Sequence, residues 1–166
     1  MTSRRRFFQV IMSRIIYTNS DGTVAILQPI LTEINPNTGN PFTIEEIAAK
    51  DVPSGTSYEI VDDSQIPIDR SFRDAWKQNG KTIETDMTKA KEIHKTNIRN
   101  ARTPKLAELD IEFQKALETS SDTTSIIAAK QALRDAPAAS EISTAVNETD
   151  LKAQWDTSIL GTSPYS

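Results

Sequence analysis

The sequence predicts an α+β fold: a small N-terminal antiparallel β-sheet with one short helix, then a C-terminal helical hairpin and a weakly ordered tail. Three observations predict it. Before Ser57 the chain reads as β-rich and turn-rich, whereas after Trp76 it reads as almost wholly helical, with apolar residues at steps of three and four. The two regimes meet in Ser57–Trp76, which concentrates charge and aromatic residues. The composition, with 37% hydrophobic and 6% aromatic residues in 166, suits a small core with solvated helices better than an enzyme enclosing a pocket.

Residues 14–18 and 23–28 are two β-rich runs joined by Asn19-Ser20-Asp21-Gly22, a hairpin signal because Asp-Gly supplies the positive-φ position of a tight reversal. Residues 35–41, NPNTGNP, read as an exposed loop. Thr43-Ile44-Glu45-Glu46 reads as a capping box that opens a short helix, Ile44–Lys50, with Ile44, Ile47 and Ala48 on one face. Val52-Pro53-Ser54-Gly55 stops that helix, and Tyr58–Val61 is expected to add a third strand.

From Asp69 the expectation is helical. Asp69 or Ser71 caps a short helix whose Phe72, Ala75 and Trp76 share one side. Two readings stand for this segment. In one, Phe72 and Trp76 pin the helix to the sheet and Arg70 and Arg73 make surface ion pairs. In the other, Arg70, Phe72, Arg73 and Trp76 form a partner-docking patch, since Trp and Arg dominate interface hot spots.

Asn79-Gly80 reads as a break. Beyond it, residues 84–102 carry Met87, Ala90, His94, Ile98 and Ala101 on a narrow helical stripe. His94 reads as a satisfied interface histidine, because a single His and no Cys leave it without a co-ligand. Thr103-Pro104 looks like an N-cap with Pro at the first helical position, restarting or kinking the helix. Leu106, Leu109, Phe113, Ala116 and Leu117 continue over Lys105–Glu118. After the polar turn 118–122, Ile126, Ile127, Lys130, Leu133 and Arg134 repeat the pattern over 123–135. Two helices joined by so short a turn are expected to pack antiparallel. Residues 141–155 hold one or two weak helical turns ending in Leu151 and Trp155. The last six residues carry no periodic signal, so their order depends on a partner or on the protein body.

The domain reading is therefore a flexible extension (1–11), a β-rich head (12–78), a helical hairpin region (79–137) and a C-terminal tail (138–166). Arg4-Arg5-Arg6 with Phe7–Met12 has too short an apolar run for a signal peptide; a basic arm or a targeting segment are the other readings of this stretch.

Composition also excludes. The net charge is −4, and residues 84–135 carry nine basic against nine acidic side chains, so no basic stripe awaits nucleic acid. No apolar run is long enough to span a membrane. Absence of Cys removes disulfides, thiolate metal sites and Cys nucleophiles. The paired acids Asp62-Asp63 and Glu45-Glu46 read as solvated faces or caps. The sequence therefore points to no enzyme, no catalytic residue, no cofactor and no metal.

Two sets of residues carry a resemblance. Lys50–Asp63, then Ile66-Pro67 and Asp69-Arg70-Ser71-Phe72-Arg73-Asp74-Ala75-Trp76, resembles small tail-associated proteins of tailed bacteriophages. Ile98-Arg99, Arg102, Lys105–Asp110, Gln131-Ala132-Leu133-Arg134-Asp135-Ala136-Pro137 and Asp150–Trp155 are similar to the phage tail assembly chaperone family, related in role to tail fibre assembly proteins. The resemblance implies a non-enzymatic protein that helps assemble or attach tail fibre or baseplate components. Its partner would be a fibre or baseplate protein, and its place the host cytoplasm during assembly or the virion tail. The alternative is a fibre-to-tail adaptor, collar or decoration protein, retained as a homo-oligomer through its helices. The candidate partner-binding residues are Arg70, Phe72, Arg73, Trp76, Leu106, Leu109, Phe113, Leu133, Arg134 and Trp155.

Overall fold

The computed structural model describes residues 12–165, so the reading of 1–11 lies outside the described residues. The chain divides into two compact units. One takes the described residues up to Arg70 together with Trp76–Glu84; the other takes Ser71–Ala75 and the chain from Thr85 onward.

In the first unit, β1 (Ser13–Thr18) pairs antiparallel with β2 (Val24–Leu27) and β3 (Tyr58–Asp62), giving the order β2-β1-β3. The predicted hairpin forms with Ile16 opposite Ile26 and Thr18 opposite Val24. Its turn closes through Asn19 N–H to Thr23 O (2.8 Å), with Gly22 at φ 81°. The third strand places Ile15 opposite Ile60.

Strand periodicity of two then sorts the side chains. Ile16, Val24, Ile26 and Val61 pack with Ile66, Trp76 and Ile83, while Ile15, Tyr17, Leu27, Tyr58 and Ile60 pack with Ile47 and Ala48 of α1 (Ile44–Asp51) and with Val52, which follows it. The capping box of α1 is present: Glu46 N–H donates to Thr43 Oγ1 (3.2 Å) and Thr43 N–H to Glu46 Oε2 (2.8 Å).

Three expectations are corrected. The helix expected from Asp69 or Ser71 to Trp76 is a 3-10 turn, Arg73–Ala75, and Trp76 opens a strand, β4 (Trp76–Asn79). The backbone explains the stop: Ala75 N–H donates to Phe72 O (2.8 Å), and Ala75 O accepts from Asp86 N–H (2.8 Å), a partner outside any helix begun at Asp69. Second, Asn79-Gly80 turns β4 into β5 (Thr82–Thr85), with Gly80 at φ 58°, so residues 79–84 finish the sheet unit and do not begin the helical one. Third, the helix is not restarted at Pro104. It runs unbroken as α2 from Met87 to Glu118. Asp86 caps it, accepting from Thr88 N–H (2.9 Å) and Lys89 N–H (3.2 Å). Thr103 caps nothing there; its hydroxyl donates back to Arg99 O at 2.8 Å.

The second unit is helical. α3 (Thr124–Asp135) follows α2 through a turn in which Asp122 accepts from Thr124 N–H (3.0 Å) and Oγ1 (2.7 Å). The short helices α4 (Ser140–Thr144), α5 (Glu148–Lys152) and α6 (Thr157–Leu160) make up the tail. The body of the unit supplies the order that the tail sequence lacks. Ile142, Leu151, Trp155 and Leu160 are buried with Phe72, Ile98 and Leu133 in one core, and Tyr165 packs against it.

Candidate functional site

Eight of the ten side chains that the sequence nominated for partner binding lie in the helical unit, and Arg70 and Trp76 in the sheet unit, so the site is built from α2 outward. Its hairpin is antiparallel, as the cross-links show. Arg102 on α2 donates from Nη1 to Arg134 O (2.7 Å) and Leu133 O (3.3 Å), satisfying carbonyls at the end of α3 that no further helical turn reaches. Farther along, Lys130 pairs with Asp110 at 2.5 Å and stands 4.9 Å above the Phe113 ring. Lys130 is therefore fixed from two sides.

A groove of about 230 Å³ opens between α2, α3 and α6. Leu109, Ala129, Leu133 and Ile159 give it apolar lining; Lys105, Glu108 and Glu112 give it charge of both signs. Its volume is below the roughly 300–1,000 Å³ typical of small-molecule sites.

Beside it lies a polar knot that the sequence did not reveal. His94 is fully buried, and its Nδ1 lies 2.8 Å from the Tyr165 hydroxyl. Asn97 Nδ2 donates to the same hydroxyl at 3.2 Å, which leaves the tyrosine proton to be given to Nδ1 and assigns the imidazole proton to Nε2. Nε2 is buried with no hydrogen-bond partner among the described residues. Trp155 stands edge-on to the imidazole with centroids 6.2 Å apart, and Tyr165 packs on Phe72 at 5.2 Å. Burial alone lowers the His94 pKa to about 4, so the ring is neutral near pH 7. Burial likewise raises the Tyr165 pKa, opposed by the Asn97 hydrogen bond.

The nominated residues separate into three groups. Phe72, Leu133 and Trp155 are buried in the helical core and Trp76 in the sheet core. Phe72, Trp155 and Trp76 are corrected from docking residues to packing residues, because their apolar area is already removed from water within their own units, whereas Leu133 both packs in the core and lines the groove. Leu106, Leu109 and Phe113 are half-buried, and Leu109 reaches the groove. Arg70, Arg73 and Arg134 are exposed.

The place of His94 on the stripe was legible, but the expected satisfied histidine is only half satisfied: Nδ1 bonds the Tyr165 hydroxyl and Nε2 has no hydrogen-bond partner among the described residues. Tyr165 and Asn97 were missed, since a penultimate tyrosine in an aperiodic tail gives no signal of where it returns. Among the described residues no group of three or more His, Asp or Glu side chains gathers as a metal site, and no helix is long and apolar enough to cross a membrane. Comparison of the chain with protein-family models, with curated proteins and with solved structures finds no match.

Proposed function

We propose that this protein assists assembly or attachment of tail fibre or baseplate components in a tailed bacteriophage, through protein–protein contacts and without catalysis. The observation that carries the reading is the groove along the α2–α3 hairpin. It is small, mixed in charge and lined in part by Leu109 and Leu133, two residues from the blocks that resemble the tail assembly chaperone family.

Co-expression with the fibre or baseplate protein encoded beside it tests this. The soluble yield of that partner rises with the intact chain and falls back when Leu109 is replaced by Asp. An unchanged yield with and without the chain refutes the proposal.

A second reading, a structural component retained in the particle as a homo-oligomer, is favoured by the exposed Ile111 (54%), Leu117 (58%) and Ile127 (51%) on the hairpin. Mass spectrometry of purified particles separates the two: stoichiometric retention supports the structural role, and absence supports the assembly factor.

A further inference from the structure

Residues 155–165 carry two side-chain hydrogen bonds that bear on how the segment is held. Trp155 Nε1–H donates to Gly161 O at 3.0 Å, folding the segment on itself. Its far end is fixed by the Tyr165 hydroxyl, shared between His94 Nδ1 and Asn97 Nδ2. Between these anchors, Leu160 is buried against the core of Ile98, Leu133 and Leu151, and Ile159 lines the groove with Leu109. The segment thus covers part of the apolar stripe of α2 and α3. We propose that it is a strap latched by Tyr165 onto His94, and that the strap opens when His94 takes a proton.

The chemistry follows from which atom is free. Nδ1 is the lone pair that accepts the Tyr165 hydroxyl, while Nε2 carries the ring proton. An incoming proton therefore goes to Nδ1, the atom the latch uses. The hydroxyl must then turn its own proton away, and a cation stands in a pocket walled by Trp155 and Tyr165. Lifting the strap lets water reach that cation, so protonation and opening favour one another.

Among the described residues no carboxylate hydrogen-bonds the His94 ring in the closed state. On α2, Glu92 is paired with Lys95 at 2.8 Å, and Lys91 donates to Ser143 O at 2.6 Å. From α5, Glu148 is bonded to Thr85, Asp150 accepts from Asn147 Nδ2 (2.8 Å), and Lys152 Nζ lies 5.8 Å from the centroid of the Tyr165 ring. Asp156 in the strap accepts from Ser158, and Arg73 and Asp74 of the 3-10 turn are exposed. Burial is accordingly the sole cause of the depressed His94 pKa.

Hydrogen exchange of the full chain, resolved by segment and corrected for intrinsic rates, tests the latch. With an open-state histidine near its ordinary value and a closed-state value of about 4, the open fraction of residues 157–165 rises about 30-fold between about pH 7.5 and about pH 5. His94→Gln, which cannot titrate, removes that rise. Tyr165→Phe keeps the histidine and the ring but loses the hydroxyl, and opens the strap about fivefold more at neutral pH. The proposal is overturned if the rise survives in a folded His94→Gln variant, or if residues 157–165 exchange only together with α2 and α3. Should His94→Gln not fold, unchanged strap exchange in Tyr165→Phe overturns it.

Discussion

Phe72 and Trp76, four residues apart in sequence, are buried in two different cores: Phe72 with Ile98 and Leu133, Trp76 with Ile16 and Val61. Helical spacing would have put them side by side on one face. The 3-10 turn at Arg73–Ala75 and the strand that follows send them apart. Within Ser57–Trp76 the chain enters the helical unit at Ser71 and returns to the sheet unit at Trp76, before leaving it again after Glu84, and each aromatic ring is buried in a different unit.

That division makes the two rings separable by mutation. Each Phe72→Ala or Trp76→Ala substitution removes a large buried side chain, a loss of about 3–5 kcal/mol from the unit that holds it. Segment-resolved hydrogen exchange should show Phe72→Ala loosening α2 and α5 while β1 and β3 keep their protection, and Trp76→Ala the reverse. Equal loosening of all segments by either variant would refute two separate cores.

The capping box at α1 predicts unequal losses. Thr43→Ala removes one cap hydrogen bond and costs about 1 kcal/mol. Glu46 does more, because its Oε2 accepts from Thr43 N–H and its Oε1 accepts from Asn35 Nδ2 at 3.1 Å. Asn35 is buried, so Glu46→Ala strands its amide and costs about 2 kcal/mol. Urea titration orders the two, and a greater loss from Thr43→Ala would contradict the arrangement.

Pro104 inside α2 predicts a stabilising substitution. Pro104 lacks the N–H that would bond Asn100 O, a defect worth up to about 3 kcal/mol in a helix interior. Proline also restrains the unfolded chain, which offsets about 0.4–1 kcal/mol. The first effect is larger, so Pro104→Ala is expected to raise the stability of the helical unit by about 1–2 kcal/mol. Thermal unfolding followed by helical circular dichroism reads it; a lowered midpoint would mean that packing against α3 needs the proline.

Histidine linkage gives a pH prediction with a definite sign. The folded-state pKa of His94, about 4, lies below its ordinary 6.5. Between those values the unfolded chain binds more protons, so stability is complete above about pH 6.5 and declines as pH falls toward about 4. The difference is on the order of 3 kcal/mol. Because the chain has a single His, its imidazole resonances titrate without overlap. A midpoint near 6.5 in the folded protein would show that the ring is not buried.

Much of the fold was legible because its signals are local. The Asp21-Gly22 turn, the Thr43–Glu46 box and the three-and-four spacing of Leu106, Leu109 and Phe113 each act within one or two turns of chain, and each produced the element expected of it. Asn79-Gly80 was as strong a hairpin signal as Asp21-Gly22. It was read as a break because Lys77, Gln78 and Glu84 leave only Trp76 and Ile83 to mark the flanking strands as apolar. Pro104 and Thr103 carried a real local preference for a helix start, which the packing of α2 overrode.

The sequence by itself determined what short-range chemistry can decide: the first hairpin and third strand, the capped helix α1, the helical character of 87–135, and that His94 lies on an apolar stripe. Only the tertiary structure decided which apolar residues remain open to a partner. Phe72, Trp76, Leu133 and Trp155 look alike in sequence to exposed hot spots, and burial by residues far along the chain removes them from the surface. Tertiary structure alone also brought Tyr165 to His94 across 71 positions. A hydrogen bond of that separation leaves no periodic trace, because nothing in the local backbone conformation at either residue depends on the other.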